Sequence, residues 1–174
     1  ARIYMKLDAV EDDRRDPWIS TDAAARHLKD DHDALGTWPL ALTAYNYGRG
    51  GLQKALQDVH GSTLVDLLER FDNPRIGFAS RNFYAEFLAA VQVSTHATRY
   101  FGDVQRLPPI RFAVVQTHDY MPYATLQKLS GASPAEFQAL NPEFRETVLD
   151  GRLYVPPDTA IRVPPGRARR FQTL

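Results

Sequence analysis

Trp38-Pro39-Leu40-Ala41-Leu42-Thr43-Ala44-Tyr45-Asn46-Tyr47-Gly48-Arg49-Gly50 joins an apolar helix to a glycine turn, and it sets the fold class of everything before residue 107. Pro39 sits at a first-turn position, where its missing N–H costs little. Leu40, Leu42 and Ala44 carry the helix forward to a phenol and an amide beside Gly48-Arg49-Gly50-Gly51. Tyr45 offers one donor and an acceptor on an apolar body, and Asn46 offers two donors and an acceptor. Gly48 and Gly50 let a backbone or a sugar ring approach closely. Two readings of the pair stand side by side. Either Tyr45 is a core aromatic and Asn46 closes the helix, or both face a ligand.

Working outward, Ser20 and Thr21 are good N-cap types ahead of Ala23-Ala24-Ala25, Leu28 and Leu35 continue one face, and Gly36 stops that helix. Downstream, Leu52, Ala55 and Leu56 mark a third, short helix. Thr63 and Asp66 have capping-box spacing ahead of Leu67, Leu68 and Phe71, and Asn73-Pro74 breaks the pattern. Ser80 is placed to cap the longest helix, whose Phe83, Phe87, Ala90 and Val91 recur at spacings of three and four. Nothing to about Tyr100 alternates like a strand, so residues 1–106 read as an all-α piece.

Leu107-Pro108-Pro109 reads as a linker. Beyond it, Arg111–Val115 suits a strand, and Tyr123–Leu129 and Pro134–Leu140 suit two short helices, with Ser133 capping the second. Leu153-Tyr154-Val155 and Ala160-Ile161-Arg162-Val163, each closed by a Pro-Pro pair, offer one or two short strands. Residues 107–174 therefore form a small strand–helix–helix–strand module with little core of its own. The expected class is α+β: a mainly α domain followed by a βααβ module.

Bulk composition narrows the function classes. With 44% hydrophobic and 24% charged residues the chain is globular, and 21 Lys+Arg against 21 Asp+Glu give zero net charge. That removes the electrostatic footprint of a general nucleic-acid binder, so no nucleic-acid partner is expected. Arg167, Arg169 and Arg170 form a basic patch that reads as a solvated tail. The chain has no cysteine, hence neither disulfides nor a thiolate metal site. His27 and Asp31 lie four apart with His32 adjacent, but no third ligand is evident. A surface salt-bridge face is expected there, with no metal and no cofactor. Asp12-Asp13-Arg14-Arg15-Asp16 reads as a solvated turn. The first residue is Ala1, which suggests a chain processed, cleaved or truncated, with any targeting signal outside it.

Three blocks in order carry a resemblance. Arg14-Arg15-Asp16-Pro17 with Ser20-Thr21 and Ala23-Ala24-Ala25 comes first. Ala44-Tyr45-Asn46-x-Gly48, preceded by Trp38 and Leu40-Ala41-Leu42, comes second. Phe78-Ala79-Ser80-Arg81-Asn82-Phe83-Tyr84 with Phe87-Leu88-Ala89-Ala90 comes third. Together they resemble the later part of the catalytic domain of peptidoglycan lytic transglycosylases with a goose-type-lysozyme-like fold, the membrane-bound lytic murein transglycosylase D group in particular. The match covers roughly residues 1–100.

The resemblance implies cleavage of the β-1,4 bond between N-acetylmuramic acid and N-acetylglucosamine with formation of a 1,6-anhydro sugar. It implies glycan strands of peptidoglycan as partner and the bacterial periplasm or envelope as location, with any membrane anchor lying outside this chain. It makes Tyr45 and Asn46 supporting catalytic residues and Tyr45, Asn46, Tyr47, Gly48 and Gly50 the substrate-binding set. Tyr47 stands where the family usually has a smaller residue, and would narrow the groove.

The family's catalytic Glu-Ser helix and its Gln-Met loop precede the point at which this sequence begins. A separate N-terminal segment carrying the glutamate is therefore an expected partner, and the isolated chain is expected to be inactive. Glu11, Glu69, Glu86, Glu136, Glu143 and Glu146 are not expected to occupy the desolvated site that a general acid needs. Residues 110–165, through Phe112–Val115, Leu126, Leu129, Ser133-Pro134, Leu140-Asn141-Pro142 and Leu153–Pro156, resemble a degenerate LysM-like module, the other reading being a structural appendage. The alternative for the whole chain is a non-catalytic peptidoglycan-binding or scaffolding protein.

Overall fold

The computed structural model describes residues 3–74 and 76–171. Contacts divide the chain into two compact units, a helical one of Ala24–Arg106 and a mixed one of Leu107–Leu174 together with Ala1–Ala23. The expected division into 1–106 and 107–174 thus differs at its N-terminal end. Backbone pairing is the reason: Asp12 N–H donates to Glu143 O at 2.8 Å and Arg145 N–H to Val10 O at 2.9 Å. Hydrogen bonds of this kind satisfy groups that both segments would otherwise leave bare.

Helix α1 (Pro17–Leu35) crosses the boundary between the units. It begins after Asp16 and not at Ser20 or Thr21, because Asp16 Oδ1 accepts from Trp18 N–H and Ile19 N–H at 2.8 and 2.9 Å. Pro17 then supplies a first-turn residue with no donor to satisfy.

In the helical unit, α2 (Trp38–Tyr47) buries Leu40, Ala41, Leu42, Thr43 and Ala44. Gly48, at φ +94°, ends α2 and starts α3 (Arg49–Asp58), a backbone conformation that a residue with Cβ resists. Helix α4 (Leu64–Arg70) opens on the expected capping box, with Asp66 N–H donating to Thr63 Oγ1 at 3.1 Å and Thr63 N–H to Asp66 Oδ2 at 3.1 Å. Helix α5 (Phe78–Thr95) starts after Gly77, so Ser80 is not its cap, and its 18 residues fall one short of the 19 of α1. A five-residue α6 (Ala97–Phe101) follows.

The core gathers Leu40, Leu52, Leu56, Leu64, Leu67, Phe71 and Ile76. Each fully buried leucine contributes about 1.5–3 kcal/mol. The periodic Phe87 and Val91 of α5 stay exposed; Tyr84 packs partly buried against this core, and only Ser80 of that helix is buried.

In the mixed unit, β1 (Ala113–Gln116) pairs antiparallel with β2 (Ala160–Val163), from Ala113 opposite Val163 to Gln116 opposite Ala160. Between them lie α7 (Tyr123–Ser130), α8 (Pro134–Leu140) and an unforeseen turn of helix, α9 (Glu146–Leu149). Ser133 caps α8 by accepting from Glu136 N–H at 3.2 Å. Leu153-Tyr154-Val155 forms no strand. Val155 makes a single bridge to Met121, and Pro156 has no N–H to extend the ladder. Asn141 is buried and ties α8 to β2, donating to Arg162 O and accepting from Arg162 N–H, both at 2.8 Å.

The core here gathers Leu126, Phe137, Phe144, Val148, Val155, Ile161, Val163 and Phe171. Phe171 anchors a 3-10 turn over Ala168–Phe171, so the C-terminal basic segment is a docked turn whose arginines are exposed, with Arg167 and Arg170 lying over Gly131.

Candidate functional site

Tyr45 stands at the end of the buried run of α2, where helical rotation turns the next side chain outward. It is 41% exposed. Its ring lies 5.5 Å from the His27 ring and 6.3 Å, stacked, from that of Phe83. The phenol is therefore held between α1 and α5 with its surface accessible, and the reading of Tyr45 as a sealed core aromatic does not apply.

Behind Tyr45 sits a charged clamp. Asp31 is fully buried, with Arg49 Nε 3.1 Å from Oδ1 and His27 Nε2 3.6 Å from Oδ2. Arg49 also donates to Asp30 O at 3.3 Å. The expected surface salt-bridge face on α1 is thus partly interior, because Leu28, Asp31 and Leu35 share one helical stripe and Arg49 of α3 reaches back over it. That spacing was visible in the sequence, but the partner from α3 was not. His32 is turned toward Trp38, with ring centroids 4.4 Å apart. Among the described residues no three His, Cys, Asp or Glu side chains are grouped to hold a metal ion.

Asn46 is exposed and accepts a hydrogen bond from Ser80 Oγ at 2.7 Å, which fixes its amide against α5. The residue closing α2 is Gly48 and not Asn46. Tyr47 is half-buried on the core, and its Cε1 lies 3.1 Å from where a Cβ on Gly51 would stand. It leans on Gly51, and a side chain at Gly51 would displace it. Gly48 and Gly50 have open space where a Cβ would lie, so both leave room beside Tyr45-Asn46.

Carboxylates behave differently in the two units. In the helical unit Glu69 and Glu86 are exposed. In the mixed unit the expectation of no desolvated glutamate is overturned. Glu143 is 3% exposed and burial pushes its carboxyl up to about 8, while burial also raises Glu11. Nothing local to Glu143 signals this, since part of the wall over it comes from Lys6, Glu11 and Asp13, more than a hundred positions earlier. Both glutamates belong to the unit that does not contain Tyr45.

The expected solvated turn at Asp12–Asp16 likewise buries its three aspartates and leaves only Arg14 and Arg15 exposed. Asp16 is inaccessible and ion-paired with Arg162, while the Arg14 guanidinium hydrogen-bonded to Asp12 holds that carboxyl down at about 2. The Arg162 guanidinium also lies 5.0 Å over the Trp18 ring and 5.3 Å over that of Phe112.

One open groove of about 650 Å3 in the mixed unit is lined by Val10, Tyr120, Arg152, Leu153 and Tyr154. Both tyrosines are exposed there. Such rings offer faces on which an apolar sugar face can stack while their hydroxyls reach polar groups.

No curated protein matches the chain. No helix among the described residues is long and apolar enough to cross a membrane. Over residues 1–63, a stretch that contains Tyr45, Asn46, Gly48 and Gly50, the chain matches the family described as the transglycosylase SLT domain, and to that extent it is lytic-transglycosylase-like.

Proposed function

We propose that this chain is part of a peptidoglycan lytic transglycosylase that cleaves the N-acetylmuramic acid–N-acetylglucosamine β-1,4 bond and leaves a 1,6-anhydromuramyl end. The observation that carries the reading is Tyr45 itself, which lies in the stretch that matches the transglycosylase family, is accessible at 41%, and is braced by His27 and by Phe83 from beyond that stretch.

In this reading one glutamic acid protonates the departing glycosidic oxygen and then accepts the proton of the muramyl 6-hydroxyl as that oxygen attacks its own anomeric carbon. The attacking group belongs to the substrate and benefits from high effective molarity. No second carboxylate is needed to activate water, in contrast to the two-carboxylate glycosidases. Tyr45 hydrogen-bonds the catalytic carboxyl or the sugar. Asn46, its amide oxygen held by Ser80, presents its NH2 edge to a sugar oxygen.

The acid comes from polypeptide outside this chain. The uncovered Phe87 and Val91, on the same helix as the Phe83 that stacks on Tyr45, are the surface on which a segment carrying it would lie. Incubated alone with purified sacculi, the chain should release no anhydromuropeptide. In a protein that joins it to the acid-bearing segment, Tyr45→Phe should lower turnover on the order of 100-fold. Product from the isolated chain would overturn the division of labour, and full activity of the Tyr45→Phe protein would overturn the role of the phenol.

A second reading has its own support in the Tyr120–Tyr154 groove. The mixed unit would then act as a LysM-like glycan-binding module, with or without catalysis elsewhere. Retention of the chain on insoluble peptidoglycan, lost on Tyr154→Ala and kept on Tyr45→Phe, would favour it.

A further inference from the structure

We infer that the cavity beneath Glu143 in the mixed unit is a binding site for a primary ammonium group carried on a short aliphatic chain. The cavity, of about 280 Å3, is lined by Lys6, Glu11, Asp13, Glu143, Thr159 and Arg162 among others. Two of its lining residues, Glu143 and Thr159, each carry a buried side-chain oxygen, Oε2 and Oγ1, with no hydrogen-bond partner. Buried orphans of this kind cost about 1–3 kcal/mol each, so native structures rarely keep them without a guest.

Lys6, Asp13 and Arg162 around the cavity are already committed. The Lys6 ammonium is paired with Glu11, and Asp13 Oδ2 accepts from Lys6 N–H at 2.6 Å. Arg162 Nη1 serves Asp16 and donates to Leu140 O at 3.1 Å. Its distance to Glu143 Oε2 is 3.8 Å, beyond a hydrogen bond. What Glu143 Oε2 and Thr159 Oγ1 lack is a donor.

Charge selects among donors. Once Glu143 has lost its proton, Glu11, Asp13, Glu143 and Asp158 line the space against only Lys6 and Arg162, which favours a positive guest. No cluster of three metal-binding side chains occurs among the described residues, so the carboxylates do not form a metal cage. An ammonium brings three N–H donors for Glu143 and Thr159 without demanding a coordination polyhedron. Ile19 and Val114 complete the wall and offer apolar surface for a methylene stem. Lys6 and Asp158, both exposed, mark the mouth.

The whole chain should be titrated with n-butylammonium while the 13C methyl signals of Ile19, Val114 and Thr159 are followed. The measurement belongs at pH 8.5. There the guest is still charged, and Glu143, faced by Arg162, Asp16 and Glu11, has given up the proton that burial holds to about pH 8. Saturable shifts with a Kd on the order of 1 mM are expected. Neutral n-butanol, and tetramethylammonium with its charge but no N–H, should produce none. Glu143→Gln and Thr159→Val should each weaken binding at least fivefold, and Thr159→Val alone suffices if Glu143→Gln fails to fold. No saturation, equal response to n-butanol, or unchanged affinity in the folded variants overturns the proposal.

Discussion

Glu143→Gln should stabilise the mixed unit progressively as pH rises, while changing little at pH 4. The sign follows from proton counts. In the folded chain the Glu143 carboxyl keeps its proton up to about 8, against an ordinary value of 4.5 once unfolded. Between those limits the unfolded chain has released a proton that the folded chain retains. Folding stability therefore falls by about 1.4 kcal/mol per pH unit and levels off above about 8. The accumulated penalty is about 5 kcal/mol, and the side chain is too buried for solvent to screen much of it. Glutamine copies the shape of the protonated acid and carries none of this dependence. Burial raises Glu11 as well, and that burial is common to both proteins.

Urea denaturation of the two proteins from pH 4 to pH 9 measures the effect. A Trp38→Phe background leaves Trp18 as the reporter, 5.0 Å beneath the Arg162 guanidinium in the same unit. A difference in stability that stays constant across this range would refute the reasoning, for it would mean that Glu143 titrates as it does in water.

The Asp31 clamp predicts an asymmetry. Arg49→Ala strands a fully buried carboxylate and should cost about 3 kcal/mol, whereas Asp31→Asn leaves a partly exposed guanidinium that water can reach and should cost about 1 kcal/mol. Equal losses by thermal or urea denaturation would show that Asp31 is not held as an ion pair. Thr63→Ala removes the reciprocal cap of α4 and should destabilise the helical unit by about 1 kcal/mol, with Thr63→Ser restoring most of it; failure of serine to rescue would point to the methyl group and not the hydroxyl.

Local chemistry was legible in the sequence wherever a residue's partner lies within a few positions. The apolar run of α2, the Gly48 stop, the Thr63–Asp66 box, the Ser133 cap and two helices between two strands, though not the extra turn α9, all follow from backbone preferences and helical or strand periodicity acting over one or two turns. Tyr45 and Asn46 were marked by their place at a helix end beside glycines. Long-range partners were not legible. Arg49 folding onto Asp31, Arg162 onto Asp16, Ser80 onto Asn46 and the N-terminal segment onto Glu143 each join residues far apart in the chain. Whether a carboxylate is solvated or buried depends on which distant segment covers it, and no periodicity in the chain records that. Only the tertiary structure turned an ordinary-looking glutamate in a loop into an acid that holds its proton near pH 8, and only it left the face of α5 beside Tyr45 uncovered.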